Sequence, residues 1–210
     1  QYILAFLACL AVLAADGTAP VILIGLSLQA ATAMLVAQVV DTGARTEAGE
    51  LVPLDQQDPA QWNREMIAEG TALIDSVWNR APAGPYQIQA AIAAVHAAAE
   101  PGHTDWAQIA MLYLWLERLT PTPPVQLARV VAVAHAHGPE RGLALLDDLN
   151  QRHHLDSNPL TRQREHAVRA HLLQQVGDSS TAAELFRHAA ELTDNQVEQR
   201  YLRDKADGIA

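Results

Sequence analysis

Proline, glycine and short polar clusters cut this chain at regular intervals, and nearly everything between the cuts carries helical spacing. The breaks fall near Asp16–Pro20, Asp41–Pro59, Ala81–Pro85, Glu100–Thr104, Thr120–Pro124, Gly138–Pro139, Asn150–Pro159, Gly177–Ser180 and Thr193–Asn195. Residues that cannot continue a helix, or that favour its caps, thus leave about ten helical stretches. Within them Met66, Ile67, Gly70, Leu73, Ile74 and Val77 recur at helical intervals, as do Ile109, Leu112, Tyr113 and Leu116. Outside the apolar N-terminus no stretch alternates as a half-buried strand would. Alanine is abundant and only 5% of residues are aromatic, which suits closely packed helices better than a sheet. The chain is read as all-α.

An internal repeat makes the architecture more specific. From Gly177, a small residue follows at Ala182, an aromatic at Phe186 and another small residue at Ala189. That is the plan of the second helix of a tetratricopeptide repeat: the glycine ends the first helix, Ala182 permits close approach, Phe186 fills the groove and Ala189 packs behind it. The same plan, one residue shorter, runs through Gly138, Gly142, Leu146 and Leu149. Units of this kind cannot bury their apolar faces alone and stack into a solenoid. The expectation is a right-handed array of tetratricopeptide-like helix pairs over residues 44–210. Residues 1–43 are read as an apolar helical hairpin packed on it.

Those first residues carry Asp16 as their only charge before residue 41, and Val21 to Val40 is uncharged and long enough to span a bilayer. Gln29, Gln38, Ser27, Thr32, the many alanines and the lack of flanking basic residues favour the buried hairpin over a membrane span. Gln1 to Ala15 lacks the basic start of a secretion signal. A chain that begins with Gln is expected to be a fragment. The lone Cys9 excludes an internal disulfide and fits a reducing, cytoplasmic location.

The side-chain chemistry points away from catalysis. His135 and His137 project about 200° apart on a helix, a poor chelate. His166 and His171 are five apart, and His153–His154 adjoins a loop. There is no HExxH, no second cysteine, no GxSxG and no phosphate-binding glycine loop. No enzyme, no metal and no cofactor is expected. The formal charge of −10 argues against these residues gripping a phosphate backbone. Asp58 and Asp105 stand at helix starts, where carboxylates cap amides and offset the positive end of the helix. Pro59 suits a first helical position and Gln61 the third, so a helix is expected to start there with Trp62 in its first turn. Trp78 and Trp115 fit core positions. Trp62 and Trp106, beside acids, divide between loop anchoring and facing a partner. Tyr86, Gln87 and Gln89 open an otherwise apolar helix. Asp58, Trp62, Asp105, Trp106, Tyr86 and Gln87 are therefore the candidate interaction residues.

Three stretches taken together, Glu50–Arg64, Gly84–Ala97 and Thr104–Tyr113, closely resemble one family in order and spacing: bacterial extracytoplasmic-function RNA polymerase sigma factors with a long tetratricopeptide-like C-terminal extension. The similarity continues through Val125–Ala134 and Gly138–Asp147 and covers roughly residues 44–205; the family usually carries Asn where Ala128 stands. It lies wholly in the extension, and the sigma regions that bind core polymerase and promoter DNA are expected upstream, outside this sequence. The resemblance implies a regulatory interaction domain acting in transcription initiation. Its partners would be the sigma regions of the same polypeptide and the polymerase core, with DNA touched only through the upstream regions. Two other readings stand beside it: a free-standing helical-repeat adaptor, and a ligand- or membrane-associated sensor that uses the N-terminal hairpin.

Overall fold

The computed structural model of the chain describes residues 46–47, 50–51, 62–78, 83–99 and 103–209. The expected hairpin over 1–43 lies outside the described residues. Eight α-helices are found among them: α1 Arg64–Trp78, α2 Pro85–Ala98, α3 Trp106–Leu119, α4 Pro123–His137, α5 Pro139–His153, α6 Arg162–Gln175, α7 Ser179–Glu191 and α8 Gln196–Asp207. Apart from the start of α1, their ends fall at or within a few residues of the sequence breaks. Non-helical pairing among the described residues is limited to a two-residue antiparallel hairpin, β1 (Thr46–Glu47) with β2 (Glu50–Leu51), in which Thr46 faces Leu51 and Glu47 faces Glu50. Strands this short leave the class all-α.

The chain divides into two compact units. One contains α1 and α2, and the other contains β1, β2 and α3 to α8. In the first, α1 packs on α2 through Ile67 and Ile74 against Ala90 and Ala97, with Trp78, Ala93 and Ala94 at the margin. Gly84 opens α2, and its N–H donates to Gln87 Oε1 at 2.7 Å, the half of a capping box that a glycine can take part in. Pro85 then occupies the first helical position, where its missing N–H costs nothing.

In the second unit each helix packs on the next in sequence, α4 also touches α6, and β2 lies against α8. This consecutive stacking is the arrangement of a helical-repeat array. Two cores meet at α6. On one side Leu127, Val130 and Ala134 of α4, Leu146 and Leu149 of α5, Leu155 of the connecting loop and Val168 and Leu172 of α6 form an aliphatic cluster. On the other side Ala170 of α6, Ala183, Phe186, Ala189 and Ala190 of α7, and Leu202 and Ala206 of α8 form a second cluster. Burying each large apolar side chain contributes about 1.5–3 kcal/mol, so these two clusters hold the stack.

The glycine reading holds in atomic detail. Gly138 links α4 to α5 with a single residue at φ +97°, a left-handed turn that a side chain would strain. Gly142 then lies where α5 crosses α4. A Cβ there would sit 2.6 Å from Ala134 Cβ and 3.1 Å from Leu172 Cδ1, so only hydrogen fits. Ala182 and Ala189 are fully buried and Phe186 is 3% exposed, matching the roles expected in the later repeat. The loop from α5 to α6 closes on Leu155, fully buried, whose carbonyl accepts from Thr161 Oγ1 at 2.8 Å.

Candidate functional site

The candidate residues separate into the two units. Asp58 lies outside the described residues. Trp62 does not stand in the first turn of α1: it occupies a bend before Asn63, whose carbonyl accepts from Ile67 N as the first helical bond. The expected helix start at Pro59 therefore does not run on into α1. Trp62 is 7% exposed in the α1–α2 core, and its Nε1 has no hydrogen-bond partner among the described residues. That position supports anchoring and leaves no indole face for a partner. Tyr86 is half-buried with its hydroxyl oxygen likewise unpartnered, Gln87 is committed to Gly84, and Gln89 is buried with its Oε1 unpartnered.

Asp105 caps α3 as expected, accepting from Gln108 N at 2.9 Å. Trp106 follows, and its ring stacks on His135 of α4 with centroids 4.0 Å apart and planes inclined by 11°. Asp105, Trp106 and His135 thus form one contiguous patch at the start of α3 and the end of α4. Trp115 corrects the sequence reading. It is 47% exposed, in line with Met111 at 65% and Leu119 at 47%, spaced by four along α3. The opposite face of the same helix supplies Ile109, Ala110, Leu112 and Leu116 to the interior. α3 is apolar on both faces, so spacing alone could not assign Trp115. The signal that was available is the i, i+4, i+8 run of Met111, Trp115 and Leu119 itself.

Sequence reasoning missed a buried polar chain that crosses three helices. Glu165 of α6 is fully buried, and its Oε1 accepts from Asn150 Nδ2 of α5 at 2.7 Å and from Arg169 Nε at 2.8 Å. Arg169 also donates from Nη1 to Asp147 Oδ1 at 2.7 Å. Burial opposes the charge on Arg169, but its bonds to Asp147 and Glu165 outweigh that and hold its pKa above the ordinary value. Beside it, Glu165 Oε2 lies 2.9 Å from His166 Nδ1, and the His166 ring tilts against His188 of α7 with centroids 4.9 Å apart. His188 Nδ1 stands 3.7 Å from Glu191 Oε2. Glu165 was detectable only as a charged residue three before the buried Val168 and seven before the buried Leu172, on their face of the helix.

No group of three or more His, Cys, Asp or Glu able to hold a metal is found among the described residues. A cleft of about 250 Å³ between α7 and α8 is lined by Arg187, Glu191, Arg203 and Asp207, whose charges cancel. Among the described residues no helix is long and apolar enough to cross a membrane.

Comparison with known proteins gives two matches. A model described as a family of unknown function, DUF6596, matches residues 26–78, about a quarter of the chain. An uncharacterized protein, R00370, of Rhizobium meliloti (strain 1021) is 43% identical over 181 residues, covering 85% of this chain and 41% of that protein. The chain thus spans about two fifths of the length of this relative. No solved structure matches the chain.

Proposed function

We propose that this chain is the C-terminal interaction domain of a bacterial RNA polymerase sigma factor, regulating transcription initiation through contacts with the sigma regions of its own polypeptide. The observation that carries the reading is the fit between sigma-factor-like stretches and structural elements. Gly84–Ala97 falls on α2, Thr104–Tyr113 on the cap and start of α3, Val125–Ala134 on α4 and Gly138–Asp147 on α5. Each of these four stretches is thus one helix or one helix start. More than half of the Rhizobium relative lies outside the aligned part, which leaves length for polymerase- and promoter-binding regions. The net charge of −10 favours protein over phosphate as the surface this domain meets.

The mechanism is conformational. The array packs on the sigma regions and shifts their population toward a polymerase-competent or a silenced arrangement. Met111, Trp115 and Leu119 are the contact face this reading assigns, because they are large, apolar and exposed in line. Promoter-dependent transcription by the native polypeptide with core polymerase tests it, comparing the parent with Trp115→Ser. The expected result is a changed transcript yield with an unchanged melting temperature. A native polypeptide that supports no promoter-dependent transcription defeats the proposal. An active one indifferent to Trp115→Ser removes the face assigned to it.

A further inference from the structure

Helix α6 separates the two cores of the larger unit, and two consecutive residues on it look opposite ways. Glu165 is bonded toward α5 through Asn150, while His166 meets His188 on α7. The two are joined by the 2.9 Å approach of Glu165 Oε2 to His166 Nδ1, an approach without hydrogen-bond alignment, and neither atom has another partner among the described residues. Consecutive helical residues do not ordinarily face each other, so this contact is held by the helices packed on either side. We propose that the Glu165–His166–His188 contact is a proton-responsive latch, which keeps α7 seated on α6 at neutral pH and loosens it in mild acid.

The groups around the imidazole set the direction. Burial acts first and disfavours the charged ring; Glu165 favours it; His188 on α7 disfavours it; Asp156 in the α5–α6 loop favours it. Behind these stand Arg169 with Asp147 on the Glu165 side and Glu191 on the His188 side. The balance holds His166 below its ordinary value of 6.5. Its contribution to folding is therefore complete above that value and is lost as the pH falls from there through the folded-state pKa. Acid favours arrangements that expose the ring, and exposing it means parting α7 from α6. The latch is independent of which partner the domain meets.

Amide hydrogen exchange of the whole chain at about pH 7.5 and about pH 5.5, corrected for intrinsic exchange, is the test. Protection along α7 should fall in acid, with the open population rising by up to about tenfold, the ceiling that a pH about one unit below the ordinary value of 6.5 allows. His166→Gln should hold nearly the same protection at both values. Unchanged α7 protection in the parent chain, or an equally steep loss in His166→Gln, overturns the latch. Should that variant fail to fold, the NMR titration of the parent His166 decides. A midpoint below 6.5 supports the latch, and one at or above it overturns it.

Discussion

The two cores on either side of α6 solve the same packing problem with different side chains. The α4–α5–α6 side is filled by branched aliphatic residues, and its helices come close because position 142 has no side chain at all. The α6–α7–α8 side is lined by alanines around Phe186 and Leu202, with Tyr201 and Leu185 packed at its margin and Ala182 at the equivalent crossing. One core relies on many interlocking leucines and a single glycine contact. The other relies on small residues that let backbones approach and a few larger ones that fill what remains. A repeat plan therefore fixes where small and large residues must stand, and leaves the choice of side chain to each crossing.

The contrast between the two cores is sharpest at Phe186. Phe186→Ala should destabilise the domain by about 3–5 kcal/mol, since the surrounding alanines cannot close the cavity. Leu149→Ala on the aliphatic side should cost about 2–4 kcal/mol, because neighbouring leucines relax into part of the space. Urea unfolding of both variants checks the order; a smaller loss at Phe186 would show that the alanine core collapses more readily than the leucine core. Gly142→Ala should cost about 1–3 kcal/mol through overpacking on Ala134, despite a helix-propensity gain of up to about 1 kcal/mol. A gain in thermal stability there would mean that the α4–α5 crossing is looser than its 2.6 Å approach. Asn195 accepts from Val197 N and Glu198 N, so Asn195→Ala should lose about 1 kcal/mol from the α8 side alone. Trp115→Ser, outside both cores, should stay within about 0.5 kcal/mol of the parent.

What could be read from the sequence follows from the range of the forces involved. Helix ends are local, and Pro85, Pro123, Pro139 and the caps Asp105, Asp178 and Asn195 mark them within one turn. Gly142, Leu146, Ala182 and Phe186 were legible because a repeat displays the same requirement twice. Trp115 was not, since α3 is apolar around most of its circumference and its packing side is chosen by α4. Glu165 was hidden for a related reason. Its neighbours Arg164, His166 and Arg169 suggest a solvated helix face, while the donor that helps to make burial tolerable, Asn150, comes from another helix. Trp62 was displaced by a bend that the run from Asp58 to Gln61 gave no sign of, because good capping residues do not by themselves oblige a helix to continue.

The proposed role in a sigma factor requires polymerase- and promoter-binding regions ahead of this domain. Intact mass of the native polypeptide, with peptide mapping upstream of Gln1, tests it most directly. If the proposed function holds, the native polypeptide is more than twice the length of this 210-residue chain, with basic helical segments ahead of it. A native product no longer than the chain itself would contradict it and leave a helical-repeat adaptor in its place.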